Sequence, residues 1–415
     1  MINEKVVKNT LWNSVGLLTY FTCQWLITIL VVWLSDDFTN QGNLTLAMSI
    51  TNFFYVLAAY NNRSFQVSDI KEEFNDSEYV ASRVLTCIAA IFLCSVFVFV
   101  VEFSALQRTI ILCYMVFRTG ECFVDVLHGI DQKSWRMDII GLSMILRGIV
   151  MLVSFALLLW LFDLLTAVIG MAATTLLIVI LFDVQKTKKL AHYTSYAFKK
   201  VLLLLKKCLP LMLVLLVSTV IVPYARFSIE RVLGTEALGI YATVSTPTMV
   251  INVLSSLFFA PLISLLSEAL KDAKKKNFLT MFYVTFAAIV GITLAFTGAS
   301  YFWGEWVLSI LFVDFREEII PYAYLMTGAS IIAGLTALLW FLNVVFSAIR
   351  DMKGILVCVL IGVIVCLAGT EIFLKTYDLE GANYIMIISQ GIAVFCALTR
   401  LFWVIKRKPE LFIKQ

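Results

Sequence analysis

A stripe of charged and polar side chains runs along the fourth apolar segment of the chain. Its members are Arg118, Glu121, Asp125 and His128, with Gln132 just beyond the segment. At about 100° per residue, these positions fall within an arc of roughly 80° on one face of a helix. Charged side chains at membrane depth cost at least ~2.5 kcal/mol each, so the stripe must face protein or water rather than lipid.

The residue types in this stripe suit the binding of an anion. Arginine offers a planar fork of donors that matches phosphate oxygens, so Arg118, with Arg147 on the next segment, could hold a pyrophosphate group. Glu121, Asp125 and His128 could bind a coupling proton or cation, or hold the arginines in place. In the alternative interpretation the charges only lock two helices together, with Arg118 paired to Glu121 and Arg147 to Asp125. The sequence leaves both interpretations open.

The elements that carry these residues are predicted to be membrane helices. Of the 415 residues, 61% are hydrophobic and 14% are charged, which is too much apolar surface for a soluble core of ordinary size. Stretches of about 20 apolar residues predict an all-α membrane protein of about twelve spans. The spans are predicted near residues 10–34, 43–61, 84–101, 106–129, 139–161, 164–182, 208–226, 237–263, 278–300, 320–348, 354–374 and 382–404.

Basic residues orient these spans. Most of the 32 Lys and Arg residues fall in loops on one predicted side, which places both termini in the cytoplasm by the positive-inside rule. The longest break between spans is rich in lysine. It divides the chain into a predicted six-helix lobe at residues 1–183, a basic cytoplasmic linker at 184–207 and a second six-helix lobe at 208–415.

Several functional classes are disfavoured by composition. The net charge of +4 comes from short loops and does not suggest nucleic-acid binding. The nine cysteines form no CxxC pair and have no nearby histidine, so neither a metal site nor a disulfide framework is predicted. Enzymes of glycan polymerisation or transfer normally present a sizeable loop with catalytic or metal-binding groups, and no such loop is evident here. We therefore expect no enzymatic activity and no cofactor, apart from a coupling cation such as H⁺ or Na⁺.

Three stretches resemble the polysaccharide flippases, of the O-antigen and capsule type, in the multidrug/oligosaccharidyl-lipid/polysaccharide exporter superfamily. These stretches are RSFQVSDIKEEF (63–74), DVLHGIDQKSWRMDIIGLSMILRGI (125–149) and RFSIERVLGTEALGIYATVS (226–245). The resemblance implies two six-helix lobes around a central cavity, as in multidrug and toxic compound extrusion (MATE) transporters, and transport by alternating access. It also implies that Arg118 and Arg147 are the cavity positions that could hold a diphosphate.

The cargo implied by this resemblance is an undecaprenyl-pyrophosphate-linked oligosaccharide repeat unit, moved from the cytoplasmic to the outer leaflet of the cell membrane. Expected partners are this lipid-linked saccharide, membrane lipid, and the polymerase and glycosyltransferases of surface polysaccharide synthesis. The main alternative is a MATE-type drug or cation antiporter, which would share the topology. A membrane glycan polymerase or transferase is a weaker alternative.

Overall fold

Helices make up nearly all of the protein. The computed structural model describes residues 4–69, 72–254 and 275–407, and these ranges contain no β-strand. The predicted all-α class is therefore confirmed. The last part of the predicted span 237–263, from residue 255 onward, lies outside the described residues.

The chain divides into two compact units, Met1–Leu216 and Val217–Gln415. The predicted lobes at 1–183 and 208–415, with a linker between them, stay a prediction. The helices of the first unit are α1 (Glu4–Trp33), α2 (Thr39–Ala59), α3 (Asn62–Ser68), α4 (Asp76–Val100), α5 (Ala105–Lys133), α6 (Met137–Leu161), α7 (Leu164–Ile178), α8 (Val184–Thr187) and α9 (Phe198–Ser218). A π-helical turn, Val179–Asp183, joins α7 to α8.

The helices of the second unit follow α9 directly. They are α10 (Ile221–Leu233), α11 (Thr235–Ser245), α12 (Lys275–Leu311), α13 (Arg316–Ile319), α14 (Leu325–Ala348) and α15 (Met352–Arg407). Short 3₁₀ turns at Thr246–Thr248 and Ile320–Tyr322 lie after α11 and before α14. Asp378, with φ 48° and ψ −135°, interrupts α15 and splits it into two spanning lengths.

Ten helices in the described ranges are long and apolar enough to cross a membrane. One of them is α15, whose 56 residues hold two crossings on either side of Asp378. The charged helix α5 is long enough to span, since it has 29 residues, although its charges set it apart from the apolar ten. Together these helices give the twelve crossings that the sequence predicts, and the protein is a multi-pass membrane protein.

Local sequence signals explain where several of these helices begin. Asn75 and Glu78 form a capping box at the start of α4, and Ser104 and Gln107 form another at the start of α5. In each box the side chain of the first residue accepts a hydrogen bond from the backbone N–H of the second. The side chain of the second residue accepts one from the backbone N–H of the first. Asp163 caps α7 by accepting the N–H of Thr166 at 2.7 Å. These caps fix the ends of the helices that carry the polar stripe and its partners.

Several helices extend beyond their predicted spans, and two of these are informative. Helix α9 begins at Phe198 rather than near 208, so the leucine run between paired lysines is continuous with the span. Helix α12 continues to Leu311 instead of ending near 300, because no proline interrupts it. Its last turns carry exposed aromatic side chains, including Trp303 and Trp306, a composition typical of a membrane interface.

Helices α1 and α6 cross closely at a pair of glycines. A Cβ atom at Gly16 would lie 2.6 Å from the Cα of Gly141, and a Cβ at Gly141 would lie 2.3 Å from the backbone oxygen of Trp12. Only glycine allows backbones to approach this closely, as at many membrane helix interfaces. The close crossing brings the side chains of α1 within reach of the polar stripe on α5.

Candidate functional site

Helix α5 carries the polar stripe through the first unit, and the partners of the stripe come from five other helices and the π-helical turn of the same unit. Residues three or four apart on a helix share a face, so the stripe follows the side of α5 that packs against its neighbours. From the middle of α5 towards its C-terminal end, the stripe has four stations. These are centred on Arg118, Glu121, Asp125 and His128.

Arg118 lies near the middle of α5 and is half-buried. Its guanidinium carbon lies 3.8 Å from the centre of the Tyr55 ring on α2, a cation–π contact. Its Nη2 donates a hydrogen bond to Oδ1 of Asn52 at 3.2 Å. Within the described ranges, no carboxylate forms an ion pair with this arginine. Among the described residues, its positive charge is therefore positioned by neutral groups and not by an ion pair.

Glu121 is the centre of a buried cluster. Arg147 on α6, only 3% exposed, forms an ion pair with Glu121 through Nη1 and donates from Nε to the Ser143 hydroxyl at 3.2 Å. The Tyr20 hydroxyl on α1 donates to the other carboxylate oxygen of Glu121. It also accepts from Nε2 of Gln24 at 2.9 Å. The charge of Arg147 is thus neutralised inside the protein.

Asp125 is held by two arginines. Arg83 on α4, which is fully buried, donates from Nη2 to Asp125 at 2.7 Å and from Nη1 to the backbone oxygen of Ala58 at 3.0 Å. Arg63 on α3 lies 3.3 Å from the other carboxylate oxygen and also donates to Oε1 of Gln132 at 3.0 Å. One carboxylate therefore faces two guanidinium groups, which leaves a second excess positive charge.

His128 lies deeper still and is 2% exposed. Its Nε2 is 3.3 Å from the Ser143 hydroxyl and 3.7 Å from Oδ1 of Asp183 in the π-helical turn. Asp183 is fully buried. One turn further along α5, Asp131 accepts hydrogen bonds from the Thr187 hydroxyl at 3.0 and 3.2 Å.

The observed ion pairs differ from those of the alternative predicted from the sequence, in which the charges only lock two helices together. Glu121 pairs with Arg147 rather than with Arg118, and Asp125 pairs with Arg63 and Arg83 rather than with Arg147. The physical reason is register: Arg147 on α6 lies level with Glu121, while the carboxylate of Asp125 points towards α3 and α4. Across the first three stations, four arginines oppose two carboxylates. The binding and coupling roles assigned to the stripe stay predictions.

Sequence reasoning missed several members of this site. Arg83 was assigned to a loop because the predicted span began at residue 84, and Asp183 was excluded because the preceding span was predicted to end at residue 182. Tyr20 and Tyr55 gave no signal, since aromatic residues are common in membrane helices. Arg63 lies within the first stretch that carries the family resemblance, which was the one available clue.

The described residues give no indication of a metal centre. No group of three His, Cys, Asp or Glu side chains in the described ranges could hold a metal ion. The nine cysteines are free, and seven of them are buried. The chemistry available at the site is therefore that of arginine, carboxylate and imidazole groups.

The chain is similar in sequence to a protein of capsule biosynthesis. No protein-family model matches the chain. The chain is 24% identical to the capsular polysaccharide biosynthesis protein CapF of Staphylococcus aureus, over 97% of this chain and 100% of that protein.

Solved structures share the fold at low sequence identity. A mutant of the Vibrio cholerae MATE transporter VcmN is 10% identical, with a TM-score of 0.66, and covers 99% of this chain and 98% of its own. A MOP superfamily transporter from Pyrococcus furiosus, described as having a binding pocket of reverse polarity that suggests a different function, is 15% identical with a TM-score of 0.66. The match covers 98% of this chain and 96% of that one. The fold that the resemblance implies is confirmed, since the chain has the fold of the MATE transporters.

Proposed function

We propose that this chain, a membrane protein with the MATE transporter fold, is a flippase for undecaprenyl-pyrophosphate-linked oligosaccharide repeat units. It moves them from the cytoplasmic to the outer leaflet of the cell membrane by alternating access, and so supplies surface polysaccharide synthesis. Both termini lie in the cytoplasm, as the distribution of lysine and arginine favours. Expected partners in the same membrane are the polysaccharide polymerase and the glycosyltransferases.

The observation that carries this proposal is the arginine in the middle of α5 that has no ion pair among the described residues. Arg118 has a tyrosine face and an amide oxygen as neighbours, but no carboxylate within ion-pair distance among the described residues. An unpaired charge at membrane depth is costly, and an anionic cargo would offset that cost. Arginine forms bidentate hydrogen bonds with phosphate oxygens, so a diphosphate group is a suitable ligand.

The other arginines extend the same argument. Arg147 forms an ion pair with Glu121, so its guanidinium group can bind an anion only if that carboxylate releases it. Arg63 shares Asp125 with Arg83 and is about a quarter exposed at its side chain, so it retains capacity for a second acceptor. Arg118 is therefore the first contact for the diphosphate, and Arg147 can join it only when Glu121 releases it. The similarity to a capsular polysaccharide biosynthesis protein supports a saccharide-linked cargo.

A drug or cation antiporter is the second candidate, because structural neighbours include a multidrug resistance transporter in both inward-facing and outward-facing conformations. Such a carrier needs an acidic or aromatic site for its cationic substrates. The stripe has the opposite balance, since the arginines of its first three stations outnumber the carboxylates. A glycan polymerase or transferase would need catalytic groups beyond those that the stripe offers. We infer that the chain is a transporter and not an enzyme.

Deleting the gene tests the proposal. Lipid-linked repeat units should accumulate on the cytoplasmic leaflet and surface polysaccharide should disappear, and expression of the wild-type chain should reverse both effects. Arg118→Gln should fail to restore export, because it removes the charge and keeps a polar side chain of similar length. Arg136→Gln is the matched control, since Arg136 lies at the protein surface in an ion pair with Asp138.

Two outcomes would overturn the proposal. Normal surface polysaccharide in the deletion strain would exclude this cargo. Resistance to cationic dyes in cells that express the wild-type chain, lost on deletion, would favour the antiporter instead. The strains that express the wild-type, Arg118→Gln and Arg136→Gln chains should be compared at equal protein abundance in the membrane, so that a folding defect is not mistaken for a transport defect.

A further inference from the structure

The C-terminal end of the stripe contains a buried acid that no ion pair or hydrogen bond fully satisfies. Asp183 lies in the π-helical turn between α7 and α8 and has no exposed surface. Neither of its carboxylate oxygens has a hydrogen-bond partner within residues 4–69, 72–254 and 275–407. The nearest polar group is Nε2 of His128, 3.7 Å from Oδ1, which is longer than a hydrogen bond.

A bare carboxylate in this position is physically unfavourable. An ionised acid that is removed from water, without hydrogen bonds or a close cation, pays a large desolvation cost and binds a proton instead. π-Helical turns are rare and occur frequently at functional sites. Here the turn directs Asp183 towards His128 instead of continuing the regular helix, so the juxtaposition is built into the backbone.

We propose that Asp183 and His128 together form a buried binding site for one exchangeable proton. This inference rests on the proposed transport function, for which the site supplies the coupling step. It assigns to Asp183 a role that the sequence did not suggest, and it makes His128 part of a pair rather than one member of a polar stripe.

The proton count of the pair follows from its surroundings. With one proton on the Asp183 carboxyl, facing Nε2 of a neutral His128 imidazole, the pair is neutral overall. Loss of the proton leaves a buried anion, and gain of another leaves a buried cation. Both changes are costly inside the protein, so exchange requires water to reach the pair.

The neighbouring charged groups are already engaged with other partners. On the elements packed around the pair these groups are Asp131 on α5, Arg147 on α6, Arg63 on α3 and Lys186 on α8.

Asp131 accepts a hydrogen bond from Thr187, and Arg147 pairs with Glu121. Arg63 pairs with Asp125, and Lys186 lies over the Phe182 ring. Arg136 and Asp138 pair with each other at the surface. The described residues therefore offer no cation closer than His128 to neutralise Asp183.

The site has a direct consequence for transport. If the proton is held while the pair is dry and is released only when water enters, proton release accompanies a conformational change of the first unit. Cargo movement would then respond to a pH difference across the membrane. A sodium gradient should have no such effect, because the pair offers too few oxygen ligands for a metal ion.

Infrared difference spectroscopy tests the site without any cargo. A pH step applied to purified full-length protein in lipid vesicles should reveal a protonated carboxyl band that Asp183→Asn removes. Asp163→Asn is the matched control, because Asp163 lies at the other end of the same helix, exposed and capping α7. The band should survive in that variant. Persistence of the full band in Asp183→Asn would overturn the assignment.

Thermal stability separates a proton site from a structural ion pair. If Asp183 normally carries the proton, Asp183→Asn keeps a neutral side chain of the same shape, and the melting temperature should be equal or higher. If Asp183 is instead a carboxylate that stabilises a charged His128, the variant leaves a buried cation and the melting temperature should fall. A fall in Asp183→Asn that His128→Gln reverses in the double variant would overturn the proposal.

Transport in vesicles links the site to function. With undecaprenyl-pyrophosphate-linked oligosaccharide as the probe, an imposed pH gradient should accelerate flipping by the wild-type chain, and Asp183→Asn should lose that acceleration while still binding the probe. Acceleration that is retained in Asp183→Asn, or that comes only from a sodium gradient, contradicts the proton site. Failure of the wild-type chain to bind the probe would instead contradict the proposed cargo, and the infrared result would still decide the proton site.

Discussion

Buried polar groups are organised differently in the two units. In the first unit they include several charged side chains, and guanidinium and carboxylate groups from α3, α4, α5 and α6 meet inside the protein. In the second unit the buried groups are mainly neutral. The Tyr241 hydroxyl donates to Asn383 at 2.8 Å, Asn383 donates to the backbone oxygen of Leu325 at 3.0 Å, and Gln390 donates to Thr336 at 3.1 Å.

The described ion pairs of the second unit lie closer to solvent. Arg400, which pairs with Asp351, is 37% exposed at its side chain, and the pair of Glu371 and Lys375 is exposed at both side chains. One charged side chain of the second unit is less exposed than these ion pairs. Arg226 on α10 is half-buried, and its Nε has no hydrogen-bond partner among the described residues.

This difference shows what holding membrane helices together requires. Interhelical hydrogen bonds between neutral groups contribute roughly 0.6 kcal/mol each and are enough to pack the second unit. Buried charges cost more than they return in stability unless every partner is in place. The charged interior of the first unit is therefore not needed for packing alone, which supports a functional role for it.

The largest expected effect comes from breaking the ion pair of Arg147 with Glu121. Arg147→Met should lower the free energy of unfolding by about 3–5 kcal/mol, because it leaves a buried carboxylate without its cation. The double variant with Glu121→Gln should recover most of that loss. Chemical or thermal unfolding of the purified protein measures both. Equal destabilisation in the single and double variants would show that the pair does not set the stability of the first unit.

A smaller effect is expected at Asp69, in the loop after α3 and outside the spans. Burial alone would raise the pKa of its carboxyl, but the backbone N–H groups of Glu73 and Phe74 and the Tyr79 hydroxyl donate to it and hold the pKa below its usual range. A lowered pKa in the folded state stabilises the protein above the pKa of the unfolded chain, and that contribution is lost as the pH falls. Asp69→Asn should cost ~1.5 kcal/mol at neutral pH.

The pH dependence of this cost is the informative measurement. The stability difference between wild type and Asp69→Asn should shrink as the pH is lowered from 7 towards ~3, the region where free aspartate titrates. A difference that stays constant with pH would mean that the ionised carboxylate makes no contribution of its own.

The smallest effect is expected in the second unit. Tyr241→Phe removes the hydroxyl that donates to Asn383 and should cost about 0.6 kcal/mol, with ~1.7 kcal/mol as an upper bound for hydrogen bonds of this kind. Unfolding of the purified variant beside Arg147→Met gives a direct comparison of the two interiors. A loss in Tyr241→Phe as large as that in Arg147→Met would remove the contrast between them.

Much of the architecture follows from the sequence, because lipid imposes long apolar helices whose length is fixed by membrane thickness. The stripe on α5 was also visible, since charged residues at helical spacing stand out against an apolar background. Its partners were not visible. Arg83 and Asp183 lie one residue outside the predicted ends of their spans, and hydropathy locates such ends poorly.

Tertiary packing decided the remaining details of the site. Tyr20 reaches Glu121 because α1 and α6 cross at Gly16 and Gly141, and no local pattern marks that crossing in advance. The observed ion pairs differ from the predicted ones for the same reason, because tertiary packing sets them. Which carboxylate meets which arginine depends on the register of neighbouring helices, and a single sequence does not contain that information in readable form.

The central claim is that Arg118 holds the diphosphate of a lipid-linked saccharide. The most direct measurement is the binding of undecaprenyl-pyrophosphate-linked oligosaccharide to purified wild-type, Arg118→Gln and Arg136→Gln proteins in lipid nanodiscs. A hydrogen bond to a charged group contributes about 1.5–3 kcal/mol, so Arg118→Gln should weaken binding by roughly 10-fold to 100-fold, while Arg136→Gln should bind as the wild type does. Equal affinity of all three proteins would contradict the account.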